Sequence, residues 1–192
     1  MKQAPVLNDK QVKKLFNSPK MTKYESRNRL ILSLSYYAGL RSVEICSLCI
    51  GDVLNGDGSI KDTIILKSHQ TKGNESHTVV LSAHLRGELE KYVSDYSLHK
   101  ERLTAPLIRS QKGGGFSSQT IQNLFKILYK SVGLDDCSSH GGRRFFITHL
   151  SELGVSVRVI QELARHSSLA TTQRYIDVSP VKLKNAVNLV KL

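Results

Sequence analysis

Five side chains suited to cleaving a phosphate ester occur in three short segments of the sequence. Arg41 lies in the run Gly-Leu-Arg-Ser-Val-Glu at residues 39–44, His140 and Arg143 lie in His-Gly-Gly-Arg-Arg at 140–144, and His166 and Tyr175 stand nine residues apart. Guanidinium groups hold phosphate oxygens through paired hydrogen bonds, imidazoles transfer protons, and a phenol can attack as a nucleophile. Together these residues could break a phosphodiester without a metal ion.

The length and the net charge of the chain limit the kinds of molecule that it could bind. The chain has 192 residues, enough for one domain with a sizeable core, and its 28 Lys and Arg against 16 Asp and Glu give a formal net charge of +12. A basic excess favours a polyanion, because each neutralised phosphate releases condensed counterions. No long apolar run and no signal-peptide core occur. We therefore expect a cytoplasmic protein that binds nucleic acid and not a membrane.

The cysteines do not indicate a disulfide framework or a metal site. Cys46, Cys49 and Cys137 are few and odd in number. Cys46 and Cys49 have the spacing of half a zinc site, but no second pair follows them, and they lie in a helical apolar pattern. We predict that these two are small buried side chains, and we expect neither a metal nor a cofactor.

Apolar periodicity and capping residues predict a mainly α-helical fold with one small antiparallel sheet. Ser42 is expected to cap the third helix, and a polar turn at residues 68–74 is expected to connect the two strands. No repeat or interdomain linker is visible, so residues 1–192 are expected to form a single domain. Predicted helices span residues 8–17, 24–38, 42–49, 82–96, 117–133, 142–153, 157–164, 169–175 and 180–190, and predicted strands span 60–66 and 77–81.

These segments, in this order, resemble the tyrosine recombinases, also called the phage-integrase family. The resemblance runs from about Leu7 to Tyr175 and rests on four motifs. They are Leu-Arg-x-x-Glu at 40–44, Thr-Lys-Gly-Asn at 71–74, His-x-x-Arg at 140–143, and the histidine followed by a polar run that ends at Tyr175. The resemblance implies the catalytic-domain fold of DNA breaking-rejoining enzymes.

The resemblance also implies a role for each matching residue. Arg41 and Arg143 would clamp the scissile phosphate, with Glu44 orienting Arg41. His140 would transfer a proton, and His166 would donate a hydrogen bond to the phosphate.

Tyr175 would be the nucleophile, and a lysine would protonate the leaving oxygen. A free phenol has a pKa of about 10, so attack at neutral pH needs help from the guanidinium groups and a base. The other six tyrosines lie in apolar or helix-face settings and are expected in the core or at its rim. Lys72 matches the family's general acid, and Lys67, at the end of the first strand, is the alternative.

Two positions depart from the family pattern. Arg165 stands where a glycine usually precedes the histidine, so either the turn differs or Arg165 itself adopts left-handed dihedral angles. Asp177 stands where a histidine often follows the tyrosine, and we do not expect it to be catalytic.

The function implied is site-specific DNA recombination or integration through a 3′-phosphotyrosyl intermediate, without ATP or metal, in a prokaryote or phage. The expected partner is double-stranded DNA at specific sites, bound by a homotetramer whose free form is a monomer. Two alternatives remain open. One is DNA relaxation resembling that of type IB topoisomerases, and the other is a non-catalytic DNA-binding regulator on the same fold.

Relatives in this family usually carry an N-terminal core-binding domain, and here it is expected to be absent. The sequence begins almost at the catalytic domain. We therefore expect either an excised fragment or a naturally short recombinase similar to the fimbrial phase-switch invertases. Residues 180–192 are expected to form a C-terminal helix that two protomers could exchange.

Overall fold

The computed structural model describes residues 5–71, 73–111, 113–176, 183–184 and 187–188. The chain forms two compact units, Met1–Phe146 and Ile147–Leu192. The helices are α1 (Asp9–Phe16), α2 (Glu25–Ala38), α3 (Ser42–Ser47), α4 (Ile50–Val53), α5 (Ala83–Asp95), α6 (Ser118–Ser131), α7 (Gly141–Glu152), α8 (Val157–Ala164) and α9 (Leu169–Gln173), and the strands are β1 (Thr63–Leu66) and β2 (His77–Val80). Short 3-10 turns occupy Pro19–Tyr24, Ser68–Gln70 and Leu98–Lys100. The predicted mainly helical fold with one small antiparallel sheet is confirmed, whereas most of the helix predicted at 180–190 lies outside the described residues.

Local capping signals set most helix ends where the sequence predicted them. The side chain of Asn8 accepts the N–H of Gln11 at 2.9 Å to start α1, and the Ser82 hydroxyl accepts the N–H of Leu85 at 3.2 Å to start α5. The predicted cap of α3 is wrong by one residue. Arg41 holds the N-cap position, and its own N–H donates to the Glu44 carboxylate at 2.9 Å. The acidic side chain one turn into the helix therefore replaces the Ser42 hydroxyl as the capping group.

Helix α2 is the central helix of the first unit. It packs against α3, α5 and α6, and its residues are buried on every face, as expected for a core helix. At its C-terminal end the hydroxyls of Tyr36 and Tyr129 hydrogen-bond at 2.9 Å, which joins α2 to α6. The helix ends at Gly39, whose φ of +62° lies in the left-handed region.

The two strands form an antiparallel hairpin in the predicted order. Thr63 pairs with Val80 and Leu66 pairs with His77, so Ile64, Leu66 and Val79 face the core. Both strands are shorter than predicted. The first begins at Thr63, because Ile60 forms only an isolated bridge with Leu54, and the second ends at Val80. The connecting turn contains Lys72, which lies outside the described residues.

The first turn of α7 lies unusually close to α2 because two glycines begin it. A Cβ atom at Gly142 would lie 2.8 Å from Cδ2 of Tyr36 and would also contact the hydroxyl of Ser35. Real Cβ atoms are almost never found this close to another heavy atom, so only glycine fits here. The close approach places the next residue, Arg143, against the end of α2.

The second unit contains the packed pair α8 and α9. The Ser156 hydroxyl caps α8 by accepting the N–H of Val159 at 3.4 Å, and Ile160 and Ala164 are buried. The bounds predicted for α8 are confirmed. Across the described part of the chain, no helix has both the length and the apolar character needed to cross a bilayer.

Adding a methyl group at Gly142 should destabilise the first unit, whereas the same change at Gly87 should not. Gly142→Ala forces α7 away from α2, and we expect a loss of about 1–3 kcal/mol in the free energy of unfolding. Gly87 lies in α5 with no atom near its would-be Cβ, so Gly87→Ala should raise that free energy by about 1 kcal/mol through helix propensity. Urea unfolding followed by circular dichroism measures both, and equal effects would contradict the close approach.

Candidate active site

Arg143 is a buried arginine that a backbone carbonyl holds in place. Its side chain is 4 % exposed, and its Nη1 donates to the carbonyl oxygen of Gly39 at 2.7 Å. A buried guanidinium is costly unless hydrogen-bond acceptors surround it, so this contact fixes where the side chain lies. The first turn of α7 is thereby tied to the junction between α2 and α3.

Arg41 lies at the same junction and is held by Glu44. Its Nη1 donates to Oε1 of Glu44 at 2.7 Å, while its backbone N–H donates to Oε2. The Glu44 side chain is fully buried, and that of Arg41 is 26 % exposed. The buried carboxylate therefore fixes the arginine while part of the guanidinium remains open to solvent. The contact expected between Glu44 and Arg41 is present, and its orienting role stays a prediction.

His140 and Arg143 differ in burial although three residues separate them. His140 occupies the position before α7, where its carbonyl accepts the N–H of Arg144 at 3.0 Å, and its side chain is exposed. Arg143 turns toward α2 and is nearly enclosed. Packing against α2 therefore buries Arg143, whereas His140 stays exposed.

Of the two candidate lysines, only Lys67 lies among the described residues. Its Nζ is 3.7 Å from Oδ1 of Asp52, whose carboxylate is buried and also accepts a hydrogen bond from Gln70 at 2.8 Å. The Lys67 ammonium thus lies near Asp52 at the end of β1, while 62 % of the Lys67 side chain is exposed. Lys72, the preferred candidate, lies outside the described residues, so its assignment stays a prediction.

In the second unit, His166 is anchored through both its backbone and its ring. The His166 N–H donates to the carbonyl of Gln161 at 3.1 Å, and the Gln161 side-chain amide donates to the His166 carbonyl at 3.0 Å. The ring nitrogen Nδ1 lies 2.9 Å from Oγ1 of Thr172. With 8 % of its surface exposed, His166 is a well-positioned imidazole rather than a solvent-exposed side chain.

Tyr175 lies directly beside this imidazole. The two rings stack with centroids 5.8 Å apart and an interplanar angle of 21°. The Tyr175 N–H donates to the carbonyl of Thr172 at 3.0 Å, and the Thr148 hydroxyl donates to the Tyr175 carbonyl at 3.3 Å. The second unit thus brings together the histidine and the tyrosine that the sequence singled out.

Three of the other tyrosines lie in the core and are unsuited to nucleophilic attack. Tyr36, Tyr92 and Tyr129 are at most 1 % exposed. Burial raises the pKa of all three phenols, that of Tyr92 to about 12, so each is neutral at physiological pH. Tyr175 differs because it is partly exposed and stacks on a histidine.

The residue before His166 adopts a left-handed conformation that glycine takes most easily. Arg165 has φ +55° and ψ +49° and ends α8 in the left-handed region. Of the two outcomes left open by the sequence, the turn therefore keeps its left-handed geometry with an arginine in it. Nη1 of Arg165 donates to the carbonyl of Leu163 at 2.8 Å, which satisfies one carbonyl at the helix end.

No metal site accompanies these residues in the described part of the chain, where no group of three His, Cys, Asp or Glu could hold an ion. The prediction that Cys46 and Cys49 are buried is wrong. Neither cysteine forms a disulfide and both are half-buried: Cys46 lies in the last turn of the short helix α3, and Cys49 occupies the position before α4.

The sequence analysis identified Glu44 but missed three other residues that position the candidate reactive groups. Gly142, Gln161 and Thr172 have no reactive chemistry of their own, and their importance lies in the contacts they make. One signal was available for Gly142, because two consecutive glycines at a helix start oppose helix propensity and so indicate a packing requirement. Gln161 and Thr172 carried no such signal.

Comparison with known proteins identifies the same family that the sequence motifs resemble. Residues 5–181 match the model of the phage integrase family. Tyrosine recombinase XerA from Pyrococcus horikoshii is 36 % identical over 166 residues, which cover 86 % of this chain and 55 % of that protein. The chain therefore spans about half the length of this curated relative.

Solved structures share the fold. A crystal structure of XerA recombinase superposes with a TM-score of 0.76 at 25 % identity, covering 97 % of this chain and 66 % of that one. XerH site-specific recombinase bound to difH substrate in a pre-cleavage complex gives a TM-score of 0.72 at 26 % identity, covering 97 % and 54 %.

The left-handed conformation of residue 165 predicts an order of stability between two substitutions. Arg165→Gly and Arg165→Ala both remove the guanidinium, but only glycine adopts the observed dihedral angles without strain. We expect the glycine variant to be more stable than the alanine variant by about 1 kcal/mol. Urea unfolding of the two variants tests this, and a more stable alanine variant would show that the turn is not left-handed.

Proposed function

Since the chain belongs to the phage integrase, or tyrosine recombinase, family, we propose that it cleaves and rejoins DNA at specific sites through a covalent phosphotyrosyl intermediate. Its fold is that of the family's catalytic domain. The observation that carries the proposal is the pair of arginines, Arg41 and Arg143, held in place by the segment at residues 39–44. We propose that these two guanidinium groups together form an anion site for a phosphate diester.

The proposed reaction exchanges one phosphate ester for another. The Tyr175 phenol oxygen attacks the scissile phosphorus, the bond from phosphorus to the 5′ oxygen breaks, and a 3′-phosphotyrosyl link forms. The phenol proton passes to His140, and the leaving 5′ oxygen takes a proton from Lys72. A 5′ hydroxyl then reverses the step, so bond energy is conserved and neither ATP nor a metal is needed.

The arginines and His166 are proposed to stabilise the charge that develops on the phosphate. Arg41 and Arg143 would each present a fork of N–H donors to the non-bridging oxygens, and the His166 ring would add a further hydrogen bond. Prearranged donors of this kind contribute most when they need no reorganisation during the reaction. The buried partners of both arginines and of His166 support such prearrangement.

DNA is the proposed partner. The net charge of +12 favours a polyanion, and the XerH relative is described in complex with its difH substrate. We further propose that protomers assemble as a homotetramer on two DNA sites, since exchange between two duplexes requires four strand cleavages.

Tyr175→Phe should abolish the covalent protein–DNA adduct while leaving DNA binding nearly intact, because only the reactive hydroxyl is lost. The DNA site is first selected from a random duplex pool with the Tyr175→Phe protein. A nicked version of that site then traps the adduct, which denaturing gel electrophoresis detects. Tyr96→Phe, which changes a more exposed tyrosine in the first unit, is the matched control and should form adduct as the unmodified protein does.

Each alternative has its own outcome, either in this experiment or in assays of supercoil relaxation and two-site strand exchange run beside it. An adduct formed by Tyr175→Phe would mean that another residue is the nucleophile. Specific binding without any adduct in the unmodified protein would indicate a DNA-binding regulator. Supercoil relaxation without exchange between two sites would indicate a topoisomerase-like activity.

Arg41→Lys and Arg143→Lys should each slow adduct formation by about 10²-fold or more, because lysine keeps the charge but cannot present a fork. Arg86→Lys, at an arginine paired with Asp62 away from this junction, is the control and should retain the normal rate. Single-turnover cleavage of the nicked site measures all three rates. Full activity in both clamp variants would rule out bidentate phosphate binding.

A further inference from the structure

Thr172 contacts both residues of the second unit that are proposed to take part in the reaction. It is completely buried in the described structure. Its hydroxyl oxygen lies 2.9 Å from Nδ1 of His166, and its backbone carbonyl accepts the N–H of Tyr175 at 3.0 Å. One residue therefore holds the ring of the histidine through its side chain and the backbone of the tyrosine through its main chain.

The hydroxyl of Thr172 can also decide which ring nitrogen of His166 carries the proton. A neutral imidazole has one N–H donor and one acceptor nitrogen, and the partner of one nitrogen determines the state of the other. If the hydroxyl donates to Nδ1, the ring proton lies on Nε2. That nitrogen is then a hydrogen-bond donor, which is what a phosphate oxygen requires.

We propose that Thr172 is a positioning residue that donates its hydroxyl hydrogen to Nδ1 of His166, keeps the ring proton on Nε2, and holds the imidazole beside Tyr175. The role for the phosphate rests on the function proposed above. The tautomer itself does not depend on that function, and it can be measured on the protein alone.

Gln161 and Thr172 contact different parts of His166. Gln161 hydrogen-bonds to the backbone N–H and the carbonyl of His166 and so fixes the position of the His166 backbone. Thr172 binds the ring and so restrains its rotation. Because Tyr175 follows Thr172 by three residues and donates its N–H to the Thr172 carbonyl, one short piece of backbone positions both the imidazole and the phenol.

Thr172→Val tests the proposal, because valine keeps the branched shape and removes only the hydroxyl. Partners that orient a functional histidine contribute about 10- to 100-fold in known metal sites, and we expect a comparable slowing of adduct formation on the nicked site. Thr172→Ser keeps the hydroxyl and should stay close to the normal rate. Thr171→Val, at the adjacent and partly exposed threonine, is the matched control and should leave the rate unchanged.

Two further measurements separate positioning from a general loss of structure. In a His166→Ala background, Thr172→Val should cause no additional loss of rate, since a residue that acts only through the imidazole has nothing left to position. The ¹⁵N resonances of the His166 ring in the unmodified protein should show the tautomer protonated at Nε2. The same resonances in Thr172→Val should shift toward a mixture of tautomers.

The outcomes that overturn the proposal differ from those that overturn the function. A ring protonated at Nδ1 in the unmodified protein, a normal rate in Thr172→Val, or additive losses in the double variant would each reject the role of Thr172. Absence of any adduct in the unmodified protein would reject the proposed function, and the ring tautomer would still decide the contact. If Thr172→Val does not fold, the ring resonances of the unmodified protein give the decision.

Discussion

The need to satisfy a buried guanidinium determines how the first unit is built around its candidate phosphate site. Arg143 and Gly39 are 104 positions apart in sequence, and the hydrogen bond between them requires α7 to approach the end of α2 closely. That approach is possible only because Gly142 has no side chain at the contact. Gly39 must in turn end α2 in a left-handed conformation, which turns the chain toward Arg41. A bulkier residue at either glycine would therefore displace the arginines indirectly.

In the candidate site, the residues that could react are different from the residues that hold them in place. The Glu44 carboxylate holds Arg41, and Thr172 holds the ring of His166. The supporting residues are more deeply buried than the groups they support, so water competes less for their hydrogen bonds. Rigid support of this kind suits a reaction in which donors must already be in place when charge develops on the phosphate.

Much of the architecture could be predicted because it depends on local chemistry. Helix ends follow from side chains that satisfy nearby N–H groups, as Asn8 and Ser82 do, and from glycine at the end of α2. The motifs around Arg41 and Tyr175 identify the family because reactive side chains recur at fixed spacings. Arg165 shows the limit of such reasoning. The sequence revealed the missing glycine, but only the folded chain shows that the arginine accepts left-handed dihedral angles.

The sequence by itself determined the helical character, the small sheet, the family and the set of candidate reactive residues. The tertiary structure alone decided that Arg143 is buried while His140 is exposed, that Lys67 pairs with Asp52, and that Thr172 contacts the His166 ring. The physical reason is that periodicity encodes which face of an element is apolar. The direction and partner of a polar side chain depend instead on which backbone and which neighbours the packed elements bring within hydrogen-bond distance.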